Sequence, residues 1–158
     1  MFRKMRRAKQ EVSLEICRSI LHTAGRAVLS VTGDDGYPYG IPVNFYYDQA
    51  ENTVYLHGSK EGHKIDAIRR CDKVCFTTWD QGFRKEGDWA WYVTSVIAMG
   101  RAELVDDLAV TTEKVREMGL KYYPNAEDVE TEIRAAIQHV QLIAIHIEHM
   151  TGKQIHER

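Results

Sequence analysis

Apolar positions near the start of the chain recur at helical spacing. The apolar stripe comprises Leu14, Cys17, Ile20 and Leu21, which fall on one face of a helix. Ser13 precedes this stripe as a typical N-cap, because its hydroxyl can accept from an unpaired backbone N–H of the first turn. Gly25 is placed to end the helix as a C-cap. The pattern therefore predicts an amphipathic helix that begins after Ser13.

Most other apolar residues fall in β-branched and aromatic runs that are typical of strands. The predicted strands are Arg26–Thr32, Tyr37–Tyr47, Thr53–His57, Lys73–Trp79, Trp89–Val105 and Gln141–Thr151. Residues 33–36 and 48–52 have the Asp, Asn and Gly content of turns. Pro38 and Pro42 interrupt the second strand because proline lacks a backbone donor, which predicts a hairpin with an irregular or edge-exposed second arm.

The remaining segments complete a mainly β pattern. Further helices are predicted over Lys60–Arg70, Leu108–Leu120 and Asp128–Val140, a loop over Asp80–Asp88, a break at residues 122–125 and a turn at residues 151–153. Hairpin-linked strands, with one short helix inserted and two helices near the end, predict an antiparallel β-barrel with flanking helices. We expect a single domain over residues 1–158, with flexible ends at 1–10 and 154–158.

Composition and charge narrow the class of protein. The 158 residues are 44% hydrophobic and 28% charged, as expected of one globular domain. A net charge of −2 gives no broad attraction to nucleic acid or to acidic membranes, and the basic residues before position 10 are typical of a solvated chain end. No apolar run approaches the roughly 20 residues of a membrane span, and no signal peptide is predicted. Three cysteines, an odd count without zinc spacing, predict a reduced cytoplasmic protein.

The segment His57–Lys64 has the residues of an anion-binding turn between a strand and a helix. Gly58 and Gly62 allow backbone to approach a ligand closely, and Ser59 can cap the helix or donate to the anion. The first amides of a helix have no partner within the helix, and the helix dipole is positive at that end. Lys60 and Lys64 would flank the anion from one helical face, with His63 as a further donor.

An ordinary capped surface helix with solvated lysines explains the same residues and stays open as an alternative. Two lysines spaced by four slightly destabilise a bare helix. Positive charge at a helix start also opposes the dipole. A bound anion would reverse both effects, which favours the anion site.

Three segments together resemble a known family. The segment Asp35–Phe45 is similar to its D-G-x-P-Y hairpin, His57–Lys64 to its H-[SG]-[SA]-x-x-G-x-K phosphate turn, and Tyr92–Ala102 to its Y-x-S-V strand. These are motifs of the pyridoxamine 5′-phosphate oxidase-like split barrels that bind flavin mononucleotide (FMN). The nearest branch is that of the nitroimidazole-resistance proteins. The resemblance runs from about Met5 to Lys153, nearly the whole chain.

The resemblance implies a flavin site shared between two subunits of a homodimer. The residues expected to line the isoalloxazine ring are Pro42, Val43 and Asn44. Those expected along the ribityl chain and phosphate are His57, Gly58, Ser59, Lys60, Gly62 and Lys64. Ser95 and Val96 would face the flavin across the dimer interface, and His57 is the best candidate for a polar, catalytic contact near the ring.

The sequence also departs from the family pattern. Pyridoxamine phosphate oxidases proper carry Arg- and Trp-bearing substrate motifs near a longer C-terminus, and Thr151–Ile155 lacks them, so pyridoxine phosphate is not the expected substrate. Gly58 stands where serine is commoner. The expected function is therefore electron transfer from FMN to a small planar acceptor such as a nitro-aromatic compound. A non-catalytic flavin- or haem-binding carrier or sensor is the alternative.

Other candidate sites have weaker signals. His146 and His149 are three apart and fall on opposite faces of a strand, so no metal site is predicted. Cys71 and Cys75 are expected to be ordinary thiols. An aromatic group surrounds the predicted polar loop: Trp79, Phe83, Trp89, Trp91 and Tyr92. Core and dimer packing explains this group, and an aromatic lid over a flavin or a planar substrate is the sharper alternative.

Overall fold

The computed structural model describes residues 1–123 and 125–157. The helices are α1 (Leu14–Thr23), α2 (His63–Arg70), α3 (Leu108–Tyr122) and α4 (Ala126–Ala136). The strands are β1 (Glu11–Val12), β2 (Ala27–Thr32), β3 (Pro38–Val43), β4 (Tyr46–Asp48), β5 (Thr53–Ser59), β6 (Lys73–Trp79), β7 (Phe83–Arg84), β8 (Trp91–Val105) and β9 (Val140–Glu157). Pro124, part of the predicted break, and Arg158, part of the predicted flexible end, lie outside the described residues.

The strands form an antiparallel sheet in the order β3-β2-β6-β8-β9-β5-β4, with β1 paired to β9 and β7 to β8. Among the described residues β3 and β4 do not pair, so the sheet is not closed. Asn44 and Phe45 nevertheless connect these two edges. Because three Cα steps span only about 11 Å, the sheet must curl until its edges nearly meet. This arrangement confirms the predicted antiparallel split barrel with flanking helices.

The barrel interior is filled by one face of each long strand. On β2, buried Ala27, Leu29 and Val31 alternate with more exposed residues, and β6 and β8 show the same alternation. Helix α1 adds Cys17, Ile20 and Leu21 to this core. A second, smaller cluster lies outside the sheet beneath α3, formed by Tyr55, Met118, Leu142 and Ala144. Helix α3 therefore covers the part of the sheet where β5 and β9 pair, and α4 packs against α3.

Several predicted boundaries are wrong. The strand predicted over Tyr37–Tyr47 divides at Asn44 into β3 and β4, which lie at opposite edges of the sheet. Helix α1 ends at Thr23, and Ala24 rather than Gly25 is its C-cap. The turn predicted at residues 151–153 is instead continuous strand.

The continuation of β9 follows from its partner. Strand β8 pairs with β9 along its full length, from Val105 opposite Leu142 to Trp91 opposite Glu157. The added ladder hydrogen bonds outweigh the turn preference of Gly152. A Cβ on Gly152 would lie 2.4 Å from the Cys17 Sγ, so glycine is needed there for close packing against α1.

None of the helices in the described part of the chain is both long and apolar enough to span a membrane. The same residues contain no group of three or more His, Cys, Asp and Glu side chains arranged to hold a metal ion.

Candidate functional site

The predicted phosphate turn begins as a strand and ends as a helix, but the helix starts later than the sequence predicts. Strand β5 continues to Ser59, which pairs with Val140 of β9, and α2 begins at His63. Gly62 is the N-cap with φ 120° and ψ 171°, a conformation that residues with a Cβ rarely adopt. The helix predicted from Lys60 is therefore wrong, and Lys60 and Lys64 do not share a helical face.

Lys64 lies against the backbone of Gly58. A Cβ on Gly58 would be only 2.9 Å from the Lys64 Nζ, so the absence of a side chain makes this approach possible. Lys64 is half-buried, and burial lowers the pKa of its ammonium group. No carboxylate within the described residues pairs with it. A desolvated cation without an acidic partner is the arrangement expected of a group that binds an anion.

The start of α2 has unused hydrogen-bond donors. No side chain caps this helix: the Ser59 hydroxyl accepts from the Glu61 N–H at 3.4 Å and not from an amide of the first helical turn. Ser59 and Lys60 are both exposed. The uncapped amides and the half-buried ammonium of Lys64 are therefore the candidate groups for holding an anion.

His63 does not face this anion site. Its ring stacks on Tyr39, with centroids 4.2 Å apart, and its Nε2 lies 3.5 Å from a carboxylate oxygen of Asp34. Arg70 donates to the other oxygen of Asp34 at 2.7 Å. His63 thus connects α2 to the turn after β2, and its predicted role as a third phosphate donor is wrong.

His57 opens into a cleft of about 520 Å³ between the end of β5 and the helices α3 and α4. Its Nδ1 lies 3.0 Å from the Met118 Sδ. Desolvation by the walls of the cleft, reinforced by the nearby charge of Lys64, lowers the pKa of His57 below its ordinary value, although the residue is exposed at one side. The shift favours the neutral imidazole, which lies between the candidate anion site and the cleft.

The pKa of His57 reports directly on the position of Lys64. Removing the positive charge in Lys64→Met removes one of the two effects that disfavour the imidazolium ion, so we expect the pKa of His57 to rise towards its ordinary value. Titration of the His57 ring protons by NMR measures this shift, and Lys60→Met serves as the matched control. The same His57 pKa in wild type and Lys64→Met would contradict the arrangement.

Asn44 lines the same cleft from the crossing between β3 and β4. Its Oδ1 accepts a hydrogen bond from Arg26 at 2.9 Å. Lys121 donates to the Phe45 carbonyl at 3.1 Å, and burial lowers the pKa of Lys121 to about 8. Sequence reasoning missed Arg26 and Lys121, because no local pattern places them beside residues 44–45.

Tyr122 holds this crossing in place. Its hydroxyl accepts from the Phe45 N–H at 3.0 Å and lies 3.0 Å from the carbonyl oxygens of both Gly25 and Phe45. These contacts join the last turn of α3 to the β3–β4 crossing and to the residue pair that precedes β2. Contacts that span 77 residues leave no signal in local sequence.

We expect Tyr122→Phe to lower the free energy of unfolding by about 1–3 kcal/mol, because it leaves backbone groups at the crossing without their partner. Urea denaturation measures the change. Tyr123→Phe is the matched control, since Tyr123 is 64% exposed, and it should change stability by less than about 0.5 kcal/mol. Equal stability of the Tyr122→Phe variant and wild type would mean that the hydroxyl does not fix the crossing.

The other predicted site residues lie on the barrel wall. Pro42 is exposed on the edge strand β3, as its missing donor requires. Val43 is partly buried against the core, and Ser95 is partly exposed on the outer face of β8. Val96 points into the core with 0% exposure, and it lies between the paired residues Thr78 and Gly152. Its side chain cannot reach a ligand on the outer face.

The aromatic group lies at one end of the outer face. Phe83 stacks on Tyr92 with ring centroids 5.1 Å apart, and His156 packs edge-on against Tyr92 at 4.0 Å. Trp79, Trp89 and Trp91 are exposed by 47%, 69% and 45%. The group is therefore a surface feature, and core packing alone does not explain it.

Comparison with solved structures supports the same fold. A candidate 5-nitroimidazole antibiotic resistance protein of Bacteroides thetaiotaomicron superposes with a TM-score of 0.77 at 22% identity, over 92% of this chain and 87% of that one. The flavocytochrome Anf3 of Azotobacter vinelandii gives 0.76 at 24% identity, over 95% and 71%. An FAD- and haem-binding protein of Mycobacterium smegmatis gives 0.72 at 15% identity, over 91% and 72%. At these identities the likeness shows the fold alone.

The family is identified by a match of the sequence to a family model. No curated protein matches it at a significant level. The family model described as pyridoxamine 5′-phosphate oxidase matches residues 13–154, from the N-cap of α1 into the last part of β9. The resemblance inferred from the three motifs is thereby confirmed, and the chain belongs to the pyridoxamine 5′-phosphate oxidase family.

Proposed function

We propose that the protein is a flavoprotein that binds FMN and passes electrons from it to a small planar acceptor. The observation that carries this proposal is the half-buried ammonium of Lys64, held over Gly58 at the uncapped start of α2 without an acidic partner. A terminal phosphate supplies the missing negative charge and accepts from the free amides. Of the solved relatives described above, one is a flavocytochrome and another binds FAD and haem, which supports a flavin as the ligand.

The proposed position of the flavin ring follows from the phosphate site. His57 and Asn44 are exposed on the sheet side of the cleft, so the proposed path of a cofactor anchored at Lys64 runs past these two residues and leaves the part of the cleft between α3 and α4 free. The edge strand β3 carries Pro42 and Val43 and is followed by Asn44. Because proline has no N–H, the hydrogen-bond ladder of this strand is incomplete. When bound, the flavin supplies the electron chemistry, while these residues bind it, orient it and exclude water.

We further propose that two copies of the chain share the site. Pro42, Val28, Thr77 and Ile97 occupy directly paired positions on β3, β2, β6 and β8. They form a row across the outer sheet face, and all four are at least partly exposed. Exposed apolar surface of this kind is typical of protein interfaces. A second copy on this row would enclose Pro42 and Ser95 together.

The row predicts the effect of one substitution on assembly. Ile97→Asp should weaken the dimer about tenfold or more, because it introduces a charge into an apolar contact. Ile16→Asp is the matched control, since Ile16 is also exposed but lies on α1. Analytical ultracentrifugation measures the dissociation constant of the dimer for wild type and both variants. A wild-type chain that is monomeric at micromolar concentration would contradict the shared site.

An anaerobic experiment separates the proposed enzyme from a carrier or sensor. The flavin-loaded protein is reduced with a nicotinamide donor and then mixed with a nitroimidazole, while its absorbance near the flavin maximum is followed. Reoxidation with loss of the nitro compound supports the oxidoreductase. A protein that keeps its flavin reduced, or that binds haem in place of flavin, would support the non-catalytic alternative, for which the flavocytochrome relative is the motivating observation.

The family model does not distinguish FMN from FAD. A second FAD-binding relative, from Mesorhizobium loti, shows that the fold also accommodates the larger cofactor in another chain. Mass spectrometry of the cofactor released from the purified protein decides between them, and FMN is the expected result. A reduced cytoplasmic setting is also proposed, in keeping with the free thiols of Cys17, Cys71 and Cys75.

A further inference from the structure

The cleft beside His57 has an apolar wall and an acidic rim. The wall comprises Val115, Met118, Val129, Ile133, Ile137 and Val140. The rim carries Asp128 and Glu132, four residues apart and therefore on one face of α4. These two carboxylates give the lining a negative charge, since no lysine or arginine is among the described residues that line the cleft.

The two carboxylates differ from their neighbour on the same helix. Glu130, which does not line the cleft, is paired with Arg116. Asp128 and Glu132 form no ion pair with any described residue. Like charges at this spacing slightly destabilise a helix. A cation bound in the cleft would relieve that repulsion.

Aromatic rings also line the cleft. They belong to Tyr123, His57 and Tyr122, and the Lys121 ammonium already lies 5.5 Å from the centre of the Tyr122 ring. The face of a tyrosine ring is negative and attracts a cation within about 6 Å. Carboxylates and aromatic rings around an apolar wall are the groups that recognise organic ammonium ions.

We propose that this cleft binds an organic ammonium ion, with its apolar body against Met118 and Ile133 and its charge beside Asp128 and Glu132. The site then has two poles: Lys64 binds an anion at one end of His57, and α4 binds a cation at the other. We also assign this ammonium compound as the electron acceptor, and that assignment rests on the proposed function. The preference of the cleft for an ammonium ion does not depend on it.

The test compares three probes that differ in charge but share an aromatic body: phenethylammonium, phenethyl alcohol and phenylpropionate. Binding is followed by NMR through the Met118 methyl group and the His57 ring, which locate the probe in the cleft. We expect phenethylammonium to bind about threefold to tenfold more tightly than the alcohol, and phenylpropionate to bind most weakly. The preference should shrink at high salt, because the rim carboxylates are exposed.

Charge variants assign the preference to the rim. The double variant D128N/E132Q should lose the preference for phenethylammonium and keep its affinity for phenethyl alcohol. The matched control E86Q/E127Q removes the same charge from exposed positions outside the cleft, and it should keep the preference. Three results would overturn the proposal: equal affinity for amine and alcohol in wild type, a preference that survives in D128N/E132Q, or no probe in the cleft because a second copy fills it.

Titration of the same wild-type preparation with FMN separates this inference from the proposed function. An ammonium preference without any FMN binding would refute the flavin proposal and leave the cleft assignment standing. FMN binding without the ammonium preference would refute the cleft assignment and leave the flavin proposal standing.

Discussion

Replacing Lys64 by methionine is expected to weaken FMN binding by about tenfold to a hundredfold, which corresponds to the loss of one charge-assisted hydrogen bond worth about 1.5–3 kcal/mol. The ammonium group lies over Gly58 beside the free amides of α2, where a phosphate would be held from two sides. Methionine preserves the length and apolar character of the side chain, so the change removes mainly the charge. Fluorescence titration with FMN measures the affinity.

Two comparisons make this result specific. Lys60→Met removes the same charge from an exposed residue before the helix, and it should change FMN affinity by less than about threefold. Without flavin, Lys64→Met should not lower the free energy of unfolding, because burial disfavours the unpaired ammonium. Equal losses of affinity in both variants would mean that the two lysines attract FMN only through long-range electrostatic attraction and that neither contacts the phosphate.

Replacing Phe45 by alanine is expected to lower the free energy of unfolding by about 3–5 kcal/mol. Phe45 is fully buried and packs edge-on against Phe76 with ring centroids 4.9 Å apart. It also lies at the crossing that joins the two edges of the sheet, so a cavity there loosens the segment that carries Asn44. Urea denaturation without flavin measures the change.

Phe83→Ala is the matched control for this substitution. Phe83 is 45% exposed on the short strand β7, and its loss should cost less than about 1 kcal/mol. A Phe45→Ala variant as stable as the Phe83→Ala variant would mean that the crossing is not anchored in the core.

Much of the sheet was predictable because its strands bury one face. The predicted bounds Lys73–Trp79 agree with β6, and Trp89–Val105 contains the whole of β8. In both strands buried and exposed residues alternate along most of the length, which is the pattern that sequence reasoning detects. The predicted pairing of β2 with the proline-bearing strand is also confirmed, with β3 at the sheet edge.

The errors arise where distant pairing overrides local preference. Strand β5 extends to Ser59 because Val140 lies opposite it. Helix α2 begins only after Gly62, which adopts a positive φ. Gly152 remains in β9 because β8 continues beside it. No local signal shows that β3 and β4 lie at opposite edges, since that depends on the order of strands far along the chain.

The candidate site was predictable in part. The motif from His57 to Lys64 pointed to close approach at Gly58, and the structure brings Lys64 to that backbone. The roles of Lys60 and His63 were not predictable, because each depends on where α2 begins and on contacts with the turn after β2. The cleft under α3 and α4, with Tyr122 and Asp128 in its lining, forms only when helices distant in sequence pack beside β5.

The most direct test of the phosphate site is to compare the affinities of FMN and riboflavin, which differ only in the phosphate group. Both are titrated against wild type and Lys64→Met under the same conditions. We predict that wild type binds FMN at least tenfold more tightly than riboflavin, and that Lys64→Met loses most of this difference. Equal binding of the two flavins by wild type, or uptake of neither, would contradict a phosphate site between Gly58 and Lys64.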